Sequence, residues 1–150
     1  MANLATDSRA RSVGPFLWLT LRASLGWGLL LAGCEQATPR IDGIEVALTD
    51  SNFEAEVLNA TQPVLVDFSA AWCGPCRRMD PIVALLSVDY EDRVKVCKLD
   101  VDKSPQTARD FGIRSVPTFV LFVPGREPVQ KSGTQSYQEL ARLLDGALAR

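Results

Sequence analysis

From Ile44 onward, short apolar runs alternate with segments whose apolar residues recur every three or four positions. The runs predict strands at about 44–48, 63–69, 94–100, 117–123 and 128–132. The periodic segments predict helices over about Ser51–Asn59, Cys73–Tyr90, Ser104–Phe111 and Tyr137–Leu148. Local punctuation supports these bounds: Asp50 or Ser51 suits the N-cap of the first helix, and Ser104 with Pro105 opens the third, which Gly112 stops. Pro81 should kink the second helix because its missing N–H interrupts the hydrogen-bond ladder. Leu140, Leu143, Leu144 and Leu148 form one stripe on the last helix. Pro124-Gly125 between two apolar runs reads as a hairpin turn, so the last two strands should be antiparallel and the sheet mixed. Strands interleaved with helices in this way predict an α/β domain over 44–150.

The first 34 residues break the pattern: Arg9 and Arg11 precede an apolar stretch that starts at Phe16, is interrupted by Arg22, and ends at Cys34. The uncharged run Ala23–Cys34 has 12 residues, short of the roughly 20 a spanning helix needs, so a secretion signal is the favoured reading. Leu31-Ala32-Gly33-Cys34 is similar to the lipobox of bacterial lipoproteins, in which the cysteine is lipidated and becomes the new N-terminus. That resemblance implies a lipid on Cys34, a short tether over 35–43 and a domain on the extracytoplasmic face of a bacterial membrane. An uncleaved anchor, or a spurious leader ahead of a cytoplasmic protein, are the alternatives.

Composition narrows the chemistry. One domain fits 150 residues, and 47% hydrophobic with 23% charged residues is ordinary for a globular chain. Arg9, Arg11, Arg22 and Asp7 belong to the leader, which leaves 13 basic against 17 acidic side chains in the remainder. That mildly acidic balance gives no sign of nucleic-acid binding. There is no histidine, so the commonest general base and the commonest metal ligand are both missing. A structural zinc site would need four ligands, and Cys34 and Cys97 form no second paired motif beside Cys73 and Cys76. No metal is expected, and proton transfer falls to Asp, Glu, Lys or water.

The chemistry concentrates at Trp72-Cys73-Gly74-Pro75-Cys76, directly after the apolar run Val64–Phe68. Two intervening residues put the cysteines one helical turn apart, close enough for their sulfurs to bond. Cys73 would lie at a helix N-terminus, where unpaired N–H groups and the helix dipole favour the thiolate that attacks disulfides. Asp67 interrupts an apolar strand. Buried there, its carboxyl would tend to be neutral; at a strand end it would reach solvent.

Three separated segments, Val64–Cys76, Val96–Asp102 and Phe111–Thr118, resemble the thioredoxin family in residues, order and spacing. The resemblance spans about 46–148 and implies the thioredoxin fold, a mixed five-stranded sheet flanked by four helices, with protein-disulfide reductase activity and no cofactor. By it, Cys73 is the attacking nucleophile and Cys76 the resolving thiol that closes the disulfide. Cys76, one turn in, should be the more buried of the two. Asp67 becomes the proton acceptor for Cys76, through water, and Lys98 the lysine that modulates it, unless Lys98 is a surface residue. Pro117 after Val116 resembles the family's cis-proline opposite the disulfide. With Trp72, Gly74, Pro75, Val116 and Gly133, it would outline a groove for an extended peptide, although Gly133 also fits a plain loop glycine.

Two positions depart from the family. Ser69 stands where these proteins commonly carry a second tryptophan, and Cys97 is an extra thiol, better read as buried and inert than as regulatory. The Gly-Pro dipeptide between the cysteines resembles the reducing branch. The partners implied are disulfide-bearing proteins and an upstream electron donor, either a membrane thiol reductase or thioredoxin reductase. A thioredoxin-fold adaptor or holdase that uses the groove without turnover is a further reading, which the intact cysteine pair argues against.

Overall fold

A computed structural model describes residues 43–149. The leader, Cys34 and all of the tether but Gly43 lie outside the described residues. The strands are β1 (Val46–Leu48), β2 (Val64–Ser69), β3 (Lys95–Asp100), β4 (Thr118–Phe122) and β5 (Val129–Ser132), and the α-helices are α1 (Gly74–Asp89), α2 (Pro105–Asp110) and α3 (Tyr137–Leu148). The segment expected as a first α-helix is instead a short π-helix, Glu54–Leu58. Strand order is β1-β3-β2-β4-β5. β3 runs parallel to β1 and β2, β4 antiparallel to β2, and β5 antiparallel to β4. The mixed sheet and its four helices are the thioredoxin fold. No helix among the described residues is long and apolar enough to cross a membrane.

β2 lies at the centre and all six of its residues are buried. The period of two sends its side chains alternately to the two faces. Leu65 joins Met79, Val83, Leu86, Val96, Phe119, Leu140 and Leu144 beneath α1 and α3. Val64, Val66 and Phe68 join Phe53, Val57, Cys97, Leu99 and Phe122 on the other face. There Phe53, Phe111 and Phe122 pack ring on ring, with centroids 5.1 to 5.7 Å apart. Burying a large apolar side chain stabilises by roughly 1.5 to 3 kcal/mol, so these two clusters, rather than propensity, hold the helices to the sheet. β5 is the edge strand beside β4 and is exposed throughout.

Asp50 caps a different helix from the one expected. Its Oδ1 accepts from the Thr107 amide at 2.8 Å and the Thr107 hydroxyl at 2.7 Å, while the Gln106 amide reaches Oδ2 at 3.3 Å. These are free N–H groups of the first turn of α2, and a carboxylate there also suits the helix dipole. The Thr107 hydroxyl, then its amide, hold the Asp50 carboxyl below its ordinary range. Ser104 occupies the N-cap position without capping, and its buried hydroxyl has no hydrogen-bond partner among the described residues. α3 is capped locally: the Ser136 hydroxyl accepts from the Glu139 amide, and the Glu139 carboxylate accepts from the Ser136 amide at 2.7 Å.

Gly43, counted from sequence with the tether, packs on α1. A Cβ there would stand 2.8 Å from Ala84 Cα, so only glycine lets the backbone pass this close. The next residue is fastened by its amide, Ile44 donating to Ser87 Oγ at 3.0 Å. The hairpin between β4 and β5 closes at Pro124-Gly125, where Arg126 N–H donates to the Val123 carbonyl at 3.0 Å and Gly125 has φ +74°. Pro81 sits inside α1, which continues to Asp89.

Candidate active site

β2 ends at Ser69 and α1 begins at Gly74, so a four-residue link carries the first cysteine. The Cys73 amide donates to the Ala70 carbonyl at 3.0 Å, turning the chain back toward the helix. Cys73 is the N-cap of α1, with extended backbone (φ −77°, ψ 103°), and its Sγ accepts from the Cys76 amide at 3.1 Å. A sulfur therefore takes the capping role usually filled by a hydroxyl or carboxylate oxygen, which favours negative charge on it. Pro75 falls in the first turn, where an N–H would have no helical partner.

Cys73 and Cys76 are joined by a disulfide, with their Cα atoms 5.3 Å apart. Cys76 was expected to be the more buried of the two; both are buried, Cys73 at 3% and Cys76 at 2% exposed. The bond draws both into one small cluster with Ala70, against which Val101 and Val116 pack. Position, not exposure, separates them. Cys73 stands ahead of the helix, whereas Cys76 is in its first turn and lines a cleft of about 590 Å³ with Ser69, Arg77, Asp80, Lys98 and Asp100.

The residues assigned to the groove lie around this pair in part. The Val116-Pro117 peptide is cis, as the resemblance implies. The Pro117 carbonyl accepts from the Gly133 amide at 2.8 Å, and Gly133 has φ +84°, a left-handed conformation that favours glycine. Gly133 thereby fastens the loop after β5 to the cis-proline. Trp72 is 69% exposed, with its indole N–H donating to Asp102 Oδ2 at 2.8 Å. Gly74 is half-buried and Pro75 exposed. Ser69 is buried and lines the cleft together with Cys76.

Asp67 does not reach solvent: it is fully buried, and neither carboxyl oxygen has a hydrogen-bond partner among the described residues. It shares the face of Leu65, the one toward α1, and lies in register with Lys98 on β3 and Phe119 on β4. Burial pushes its carboxyl up to about 7; the Lys98 charge opposes this, and Asp80 and Glu45 add to it. Lys98 is half-buried on β3, an interior strand rather than an edge. Its ammonium, however, donates to Asp80 Oδ1 rather than to Asp67. Burial pulls the Lys98 pKa down, but the Asp80 hydrogen bond and the charges of Asp80, Asp67 and Glu45 outweigh it and leave it raised.

Asp80, Glu45 and Asp102 are members of this region that sequence reasoning missed. Asp80 is four residues after Cys76 on α1, hence on the same helix face, and that spacing could have found it. Glu45 has the alternation parity of Ala47, which pairs with Lys98, but this becomes visible only once β1 is registered on β3. Cys97 is buried in the opposite cluster, and burial pushes its thiol up to about 12, in keeping with an inert side chain. Among the described residues, no group of His, Cys, Asp or Glu side chains could hold a metal ion.

A family model described as Thioredoxin matches residues 45–146. The thioredoxin of Pseudomonas aeruginosa is 43% identical over 100 residues, which cover 67% of this chain and 93% of that protein. The thioredoxin of Rickettsia prowazekii is 45% identical over 93 residues, covering 62% and 89%. The thioredoxin of Alicyclobacillus acidocaldarius is 46% identical over 101 residues, covering 67% and 95%.

Proposed function

The chain belongs to the thioredoxin family and is a thiol-disulfide oxidoreductase that reduces protein disulfides, and on that premise we propose that it works at the extracytoplasmic face of a bacterial membrane, held there by a lipid on Cys34. The observation that carries the chemistry is the Cys73–Cys76 pair at the N-terminus of α1, beside Val116 of the cis Val116-Pro117 peptide and on the face that buries Asp67. In the reduced enzyme the Cys73 thiolate attacks one sulfur of a substrate disulfide. A mixed disulfide forms and the other substrate sulfur leaves as a thiolate. Asp67 then takes the Cys76 proton through water, and the Cys76 thiolate attacks Cys73 Sγ. The enzyme disulfide closes, the second substrate thiolate departs, and the substrate has gained two electrons. A carboxyl that titrates near neutrality suits this transfer, because it can both accept and return a proton at working pH.

Val116 and Pro117, with Trp72, Gly74 and Pro75, are the surface against which substrate backbone lies; Gly133 braces Pro117. A donor dithiol must reopen the Cys73–Cys76 bond after each turnover. On the oxidising side of a membrane, that donor is a membrane thiol reductase.

Support for the address comes from the Leu31-Ala32-Gly33-Cys34 sequence at the end of the apolar run. Mass spectrometry of fractionated cells tests it: the membrane fraction should yield an N-terminal peptide beginning at a lipid-modified Cys34. An unmodified peptide beginning at Met1 in the soluble fraction would place the protein in the cytoplasm, with thioredoxin reductase as donor. Equilibration with a glutathione buffer tests direction. A reductant should give a potential near the thioredoxin value of about −270 mV, and one near about −120 mV would identify an oxidant.

A further inference from the structure

We infer that Asp80 is a positioning residue of the exchange site: by holding the Lys98 ammonium at the cleft, it leaves the buried Asp67 without a cation of its own and so keeps Asp67 able to carry a proton. Lys98 sits in register with Asp67 on the neighbouring strand, and its flexible stem makes either carboxylate a candidate partner. The hydrogen bond goes to Asp80, while among the described residues both oxygens of Asp67 remain unpartnered. Desolvation explains the choice. The Lys98 and Asp80 side chains keep 34% and 45% of their exposure and stay partly hydrated, whereas a contact with Asp67 would carry the ammonium into a fully buried site.

The charged groups that act on Asp67 are Lys98 from β3, Asp80 from α1 and Glu45 from the segment before β1; the register partner on β4 is the uncharged Phe119. Asp80 acts on Asp67 twice with the same sign, as a negative charge and as the anchor that diverts the Lys98 ammonium. Because Asp80 lies one turn beyond Cys76 on the same helix, the residue that tunes the proton acceptor is fixed to the element that carries the thiol.

The catalytic consequence rests on Asp67 being the proton acceptor for Cys76; the claim about Lys98 does not, and the two are separable by experiment. In the full-length oxidised protein carrying ¹³C-labelled aspartate, the Asp67 carboxyl carbon can be followed by NMR through its titration. Asp80→Asn should move the midpoint down by about 1 unit, as expected for a carboxylate that gains a nearby cation. Asp80→Glu should restore it, and Lys98→Met should move it up. In a Lys98→Met background, Asp80→Asn should have a smaller effect, because only its direct charge on Asp67 is then removed and the diverted cation is no longer there. A midpoint unmoved by Asp80→Asn, or an equal shift in both backgrounds, overturns the inference. The pH–rate profile of insulin reduction should move with the NMR midpoint. A profile unaltered by Asp67→Asn would instead overturn the proton-acceptor role, while the NMR titration still decides the part played by Asp80.

Discussion

Replacing Cys73 by Ser should bring insulin-disulfide reduction down to the uncatalysed rate, because a serine hydroxyl at the start of α1 is not ionised and cannot attack a disulfide as a thiolate does. Cys76→Ser should fail differently. Its Cys73 still attacks and still sits at the helix N-terminus, but no second thiol is present to resolve the adduct. Substrate should therefore accumulate on Cys73 as a mixed disulfide, visible as a mass increase on non-reducing mass spectrometry and removed by a small-molecule dithiol. Cys97 cannot stand in for either residue, since it is buried in the cluster on the other side of the sheet. Turnover retained by both variants would rule out the dithiol mechanism.

The second large effect is on stability, and its sign follows from Asp67. In the unfolded chain this carboxyl ionises from near its ordinary value of 3.8, whereas in the folded protein burial holds the proton until about 7. Between those values the native state binds more protons than the unfolded state, so the free energy of unfolding falls as pH rises. At 1.36 kcal/mol per unit, the loss is about 4 kcal/mol, complete once pH exceeds the folded value. Asp67→Asn carries no such penalty. Denaturant titrations of the oxidised proteins should thus show the variant gaining on the wild type by about 4 kcal/mol between about pH 4 and about pH 9. A difference that stays constant across that range would mean Asp67 is not held protonated by burial. A site residue that weakens the fold when ionised is consistent with a group retained for proton transfer rather than for stability.

How much of this was legible depended on whether the governing contact was local. Helix α1, its Cys73 start, the hairpin at Pro124-Gly125 and the apolar stripe of α3 are written in short-range spacing, and the structure places them where the spacing puts them. The Ser136-to-Glu139 capping box was equally local and was overlooked. Asp50 was legible as a capping residue but not as the cap of α2, because its partner Thr107 lies 57 residues away. Lys98 was assigned by family resemblance as the lysine that modulates Asp67; its charge does act on that carboxyl, while its direct hydrogen bond goes to Asp80, which no local spacing on β3 announces. The full burial of Cys73 was not legible either, since it comes from Ala70 at the end of β2 and from Val101 and Val116, which pack around the disulfide.

By itself the sequence determined the order of elements, the dithiol at a strand-to-helix junction and the exclusion of histidine chemistry, because each depends on covalent spacing or on composition. Only the tertiary structure decided how Asp67 is charged and which group Lys98 serves. Those outcomes turn on desolvation and on which charges meet across β1, β3 and α1, and neither exists until strand register and helix packing bring Glu45, Asp67, Asp80 and Lys98 together.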